Sequence, residues 1–133
     1  MDQHDLVVAR YDHCFVVLNR YPYNAGHLLI APNDHAADLR DLPDAVGHEM
    51  LMATRESMAV LDDAIGPHAY NFGANLGRSA GAGVPDHLHW HLVPRWDGDT
   101  NFMPTIAETK VMSHALEDLW KQFVEGFKGR TSA

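Results

Sequence analysis

The chain has 133 residues, 46% of them hydrophobic and 21% charged, which fits one globular domain over residues 1–133 with a single core. Eighteen Asp and Glu against ten Lys and Arg leave a net charge of −8, the opposite of what a nucleic-acid backbone attracts. Asp2, Asp5, Arg10 and Asp12 interrupt the opening stretch, which holds no apolar run long enough for a signal peptide or a membrane span, so a cytoplasmic protein is expected.

Leu6 to Arg10 and His13 to Asn19 are apolar, valine-rich runs separated by Tyr11-Asp12, which predicts a strand hairpin. Cys14 is the only cysteine, so no intrachain disulfide is possible, and its place in a strand predicts a buried, inert thiol. Arg20 to Gly26 reads as a turn, and His27 to Ala31 as a third strand ended by Pro32, with His27 and Leu29 on one face and Leu28 and Ile30 on the other. Asn33 to Leu42 is a polar connection with room for an irregular helical turn.

From Pro43 the period changes. Val46, Met50, Ala53, Met58, Leu61 and Ile65 recur at helical spacing, and Gly66-Pro67 stops the helix. Core packing is the commoner meaning of such methionines, and His48 with its acidic neighbours is expected to face solvent.

Ala69 to Leu76 predicts a fourth strand, with Asn71, Gly73 and Asn75 on one face and Tyr70, Phe72 and Leu76 on the other. The loop from Gly77 to Asp86 exceeds what a hairpin needs, and Gly77, Gly81 and Gly83 allow backbone N–H groups to converge on an anion. It lacks the Lys-Ser/Thr ending of a P-loop.

His87-Leu88-His89-Trp90-His91-Leu92-Val93 follows. A strand would send its three histidines to one face and Leu88, Trp90 and Leu92 to the other, whereas a helix would scatter both sets. Beyond it, Pro94 to Pro104 is turn-rich, and Glu108 to Phe127 reads as a second amphipathic helix through Met112, Leu116, Leu119, Phe123 and Phe127. Gly126 and Gly129 mark a fraying end, and Arg130 to Ala133 is expected to be disordered. The order of elements predicts an α+β fold, a roughly five-stranded antiparallel sheet with two main helices.

Three readings compete for the alternating histidines: the polar face of an ordinary sheet, a transition-metal site, and covalent phosphoryl chemistry. The metal reading lacks a Cys pair, an acidic residue within the motif, or a His-Glu-x-x-His helix. For the covalent reading, an ordinary imidazole titrates near about 6.5 and is largely neutral at pH 7, so one ring nitrogen can attack while the other donates to a carbonyl. Flanking imidazoles and loop N–H groups would then stabilise the phosphoryl oxygens without a metal.

His87 to Val93 match the signature His-φ-His-φ-His-φ-φ, with φ apolar, at all seven positions, and Pro94-Arg95-Trp96 with Gly98-Asp99-x-Asn101-Phe102 extends the pattern. On these residues, from about Asp5 to about Phe127, the chain resembles the histidine triad (HIT) family, and most of all bacterial members related to diadenosine tetraphosphate phosphorylases. The resemblance implies the HIT fold, a nucleotide substrate, no cofactor, and a homodimer whose two sheets join into one. It implies that His89 attacks the α-phosphorus, that His91 binds a phosphate or bridging oxygen, and that His87 and His27 complete the cluster.

By the same resemblance Asn19 meets the ribose hydroxyls, Asn75 supplies the phosphate-site amide, and Val17 and Leu29 lie against the base. Val84 stands where several members have Ser or Thr, and Ala82-Gly83 where phosphorylase-like members have Gly-Ser. Ser79 and the backbone N–H groups of Gly81, Gly83 and Val84 are therefore expected at the phosphate. Many bacterial relatives carry paired cysteines in an N-terminal segment; this chain has none, so no metal from that source is expected.

The activity implied is a nucleotidyl hydrolase or transferase acting on a dinucleoside polyphosphate or similar compound. A phosphorylase using inorganic phosphate, a metal-dependent enzyme using the strand histidines, and a nucleotide-binding protein without turnover remain open beside it.

Overall fold

Apolar alternation in five short segments builds an antiparallel sheet in the computed structural model, which describes residues 5–80, 87–99 and 112–131. The strands are β1 (Val7–Arg10), β2 (Cys14–Leu18), β3 (Leu28–Pro32), β4 (Ala69–Gly73) and β5 (Trp90–Arg95), in the spatial order β1-β2-β3-β5-β4. Two helices, α1 (Asp44–Ile65) and α2 (Met112–Thr131), cover one face; α1 packs on β2 and β3, and α2 on β1 and α1.

The core lies between these layers. Val16, Leu18, Leu28, Ile30 and Leu92 project from the sheet into Met50, Ala53, Val60 and Leu61 of α1 and Leu116, Phe123 and Phe127 of α2. Each large apolar side chain removed from water there contributes about 1.5–3 kcal/mol. Polar groups within the layer are matched: Thr54 and Ser57 donate to the carbonyls of Met50 and Ala53, and Trp90 Nε1–H donates to Thr54 Oγ1 at 2.9 Å.

The β1–β2 hairpin closes through Tyr11 N–H to the Cys14 carbonyl, and the connection after β3 contains a short 3₁₀ turn, Leu39–Asp41. Cys14 is fully buried, and burial together with a hydrogen bond to Glu49 pushes its thiol up to about 12, in keeping with an inert thiol.

Several boundaries differ from the sequence expectation. β5 begins at Trp90, so His87 and His89 precede the paired strand; its partner β3 ends at Pro32, which has no N–H to extend the ladder. β4 stops at Gly73, leaving Asn75 and Leu76 beyond it. Met58 is exposed rather than core, because Met50, Ala53, Ser57, Val60 and Leu61 define the buried stripe.

The acidic residues near His48 are not all solvated. Glu49 accepts the His13 N–H at 2.6 Å and Glu56 accepts the Tyr11 hydroxyl, so both fasten α1 to the hairpin. The expected fraying at Gly126 and Gly129 and disorder at Arg130 are also overturned. The helix continues through Thr131, and Arg130 pairs with Asp63 of α1 at 2.9 Å. Gly126 is a packing residue: a Cβ there would lie 2.9 Å from Val60 Cγ1. The expected start of this helix at Glu108 lies outside the described residues.

Candidate active site

The face of the sheet away from the helices carries the chemistry. Register sets Val17 beside Leu29, Leu29 beside His91, and His91 beside Gly73, one row running across β2, β3, β5 and β4. Val17 and Leu29 are partly buried and form the apolar end of this row, while the missing side chain at Gly73 leaves space at the other.

His27 lies just before β3 and is fully buried. Its Nδ1 accepts the backbone N–H of Tyr23 at 3.2 Å, and the Asn19 amide donates to the same atom at 3.2 Å. A backbone N–H can only donate, so the neutral ring carries its proton on Nε2, which lies 2.9 Å from His91 Nδ1. That contact in turn makes His91 Nδ1 an acceptor and places the His91 proton on Nε2. Burial first, then the neighbouring His91 and His89, push the His27 pKa down to about 3, and burial followed by His89 holds His91 below the usual histidine range. Both rings are thus neutral near pH 7.

His89 is set differently. Its Nδ1 lies 3.1 Å from the His87 carbonyl, an obligate acceptor, so Nδ1 carries the proton and Nε2 keeps an unshared pair. The His89 and His91 rings meet edge to face with centroids 5.2 Å apart. His87 turns its Nε2 to the Pro32 carbonyl at 3.1 Å and lies against His35. Together these contacts present a bare nitrogen on His89 beside an N–H donor on His91. Among the described residues, no group of three or more His, Cys, Asp or Glu side chains is arranged to hold a metal ion.

A cleft of about 440 Å³ opens next to His91, lined by Tyr23, Asn71, Gly73, Asn75 and Arg95 among others. Arg95 makes a two-pronged contact with Asp99, Nε to Oδ2 at 2.9 Å and Nη2 to Oδ1 at 2.7 Å, and its Nη1 donates to Asn71 Oδ1 at 2.7 Å. Asp99 also accepts from the Asn24 amide and the Trp96 N–H, and the Arg95 guanidinium holds its carboxyl well below the usual range.

The structure brings His27, His89, His91, Val17, Leu29 and Asn19 onto one face, with Asn75 at the cleft and His87 supporting His89. Asn19 directs its amide to His27 and its oxygen to the Tyr21 N–H, so it buttresses the histidines. Ser79 is exposed in a 3₁₀ turn, Arg78–Ala80, and Gly81, Gly83 and Val84 lie outside the described residues. The sequence reading assigned no role to Tyr23, Asn24, Arg95 or Asp99. The Arg-x-x-x-Asp spacing around Gly98 was visible, but its cleft is assembled by β4 and the Tyr23 segment, distant in sequence.

Known proteins resemble this chain in sequence and in fold. AP-4-A phosphorylase from Mycobacterium tuberculosis is 44% identical over 117 residues, covering 88% of this chain; the chain spans 60% of that relative's length. An adenosine 5′-monophosphoramidase of Schizosaccharomyces pombe is 36% identical over 74 residues, covering 56% of this chain and 52% of that protein. The crystal structure of a hypothetical histidine triad nucleotide-binding protein from Sulfolobus tokodaii matches with a TM-score of 0.75 at 25% identity, over 92% of this chain and 85% of that one. Residues 2–98 match the HIT domain, and with its histidine motif on the open face of this sheet the chain belongs to the HIT family.

Proposed function

We propose that this protein is a single-domain cytoplasmic nucleotidyl hydrolase or transferase, acting at the α-phosphate of a dinucleoside polyphosphate or related nucleoside phosphate derivative through a nucleotidyl-His89 intermediate. The observation that carries the reading is the tautomer pair: the His87 carbonyl leaves His89 Nε2 unprotonated, while His27 leaves a proton on His91 Nε2.

In the first displacement, the His89 Nε2 pair forms a bond to the α-phosphorus as the P–O bond to the leaving group breaks. The electron pair departs on the leaving oxygen. A polyphosphate is a stable anion, so the His91 N–H serves it as a hydrogen-bond donor and need not surrender its proton. The positive charge on the His89 ring is spread toward the His87 carbonyl through Nδ1–H. In the second displacement, water or inorganic phosphate attacks phosphorus, the P–N pair returns to His89, and any proton released by water passes to solvent. Val17 and Leu29 offer the apolar surface for the base, and Asn75 the amide nearest the phosphates.

The 44% identity to a protein named AP-4-A phosphorylase favours phosphate as acceptor. Incubation with diadenosine tetraphosphate, with and without phosphate, tests the reading. ATP with ADP in phosphate identifies a phosphorylase, and ATP with AMP in its absence a hydrolase; recovery of intact substrate under both conditions would overturn the activity.

The working unit we propose is a homodimer. Among the described residues β4 is an edge strand, paired on one side with β5, and Phe72 of β4 with Leu51, Met52 and Met58 of α1 are exposed by 51, 48, 43 and 37%. Joining two β4 edges would satisfy the free backbone groups and cover this apolar surface.

A further inference from the structure

Nothing in the two-displacement scheme uses Arg95, yet the cleft it lines adjoins His91. We propose that this cleft is an anion subsite, in which Arg95 with the amide of Asn71 binds a phosphate other than the one attacked. This rests on the nucleotidyl-transfer reading for its role in catalysis, but not for the binding itself.

On the open face of β5, His91, Val93 and Arg95 follow His89 in strand alternation. At about 3.3 Å per residue, Arg95 sits about 13 Å beyond His91 along the strand, too far to serve the phosphorus that His89 attacks. In-line displacement places the leaving group opposite His89 Nε2, and the acceptor in the second step arrives from that same side. One subsite past His91 therefore serves two sources of the same chemistry: a distal phosphate of the leaving chain, or incoming inorganic phosphate.

The guanidinium is already oriented for this task. Three of its five N–H groups are engaged, two by Asp99 and one by Asn71, and two remain. Asp99 has 16% side-chain exposure and is itself fixed by Asn24 and the Trp96 N–H, so the fork is held before any ligand arrives. Arg95 keeps 41% side-chain exposure, and the described lining residues include no Asp or Glu to repel an anion. In a chain of net charge −8, phosphate recognition must depend on such local donors. A tie that merely closed the Trp96–Asp99 turn would not require Asn71, which reaches Arg95 from another strand.

The test titrates tripolyphosphate and inorganic phosphate into the protein and into Arg95→Gln and Asn71→Asp. The second variant sets a carboxylate against the exposed side of Arg95 while leaving its bond to Asp99 in place. Both variants should bind tripolyphosphate at least tenfold more weakly if distal phosphates occupy the cleft, or inorganic phosphate at least tenfold more weakly if the acceptor does. The ratio of kcat/KM for diadenosine tetraphosphate to that for adenosine 5′-phosphoramidate, which lacks distal phosphates, should fall at least tenfold in the first case. In the second, the KM for phosphate should rise. Unchanged binding of both anions in Asn71→Asp would overturn the subsite, as would an equal loss on both nucleotide substrates with anion binding intact. Weakened anion binding in a protein with no turnover would uphold the subsite and overturn the nucleotidyl-transfer reading instead.

Discussion

Nε2 of His27 lies 2.9 Å from Nδ1 of His91, and the Tyr23 backbone N–H on the far side of His27 fixes the direction in which that hydrogen bond runs. The fully buried ring therefore dictates the tautomer of the half-buried one. Protonating His27 on Nδ1 would force out the Tyr23 and Asn19 donors and place a charge in the core.

A stability measurement reads this directly. Folding lowers the His27 pKa from 6.5 to about 3, so between these values the unfolded chain binds the extra proton. The stabilisation from a neutral His27 is full above about pH 6.5 and drains away as pH falls toward about 3. Asp38 and Asp99, held ionised by Arg40 and Arg95, lose their contributions only at lower pH. The thermal midpoint should fall from pH 7 to pH 5, and His27→Gln should flatten that slope. An equal slope in the variant would assign the effect to other groups.

Two glycines of α2 should respond in opposite directions. Gly126→Ala sets a methyl 2.9 Å from Val60 Cγ1 at the contact with α1 and should cost about 1–3 kcal/mol. Gly129 faces open space, so Gly129→Ala should gain about 0.5–1 kcal/mol from helix propensity. Denaturant melts of both variants check this, and a stable Gly126→Ala would show that the helices separate freely.

The edge of β4 offers a further check. Phe72→Glu and Leu51→Glu place charges on exposed apolar residues of the proposed dimer surface and should shift the protein from dimer to monomer in light scattering. A parent protein that is monomeric at working concentration would contradict the proposed assembly.

What could be read from the sequence follows the range of the interactions involved. The two faces of the histidine segment were legible because strand alternation is local; Leu88 and Leu92 are buried while His91 lines the cleft. The start of β5 at Trp90 was not, since it depends on Pro32 in another strand. Gly126 carried the local signature of a helix end, but its absent side chain serves the contact with Val60. Glu49 and Glu56 looked like solvated helix residues because their partners, His13 and Tyr11, belong to the hairpin. The site divides in the same way: His87, His89 and His91 carry a motif, whereas the tie from Arg95 to Asn71 exists only once β4 has paired with β5.

The central claim is that His89 Nε2 forms a covalent bond to phosphorus, and trapping that bond tests it most directly. Protein quenched during turnover of substrate labelled in the α-phosphate should carry a base-stable, acid-labile nucleotidyl adduct that peptide mapping places on His89. His89→Ala should lose both adduct and turnover, yet bind nucleotide within about tenfold of the parent, roughly 1.4 kcal/mol, because the lost interaction belongs to the transition state. His91→Ala should slow the reaction while still allowing the adduct to form. An adduct mapped to another residue, or full turnover by His89→Ala, would contradict the account.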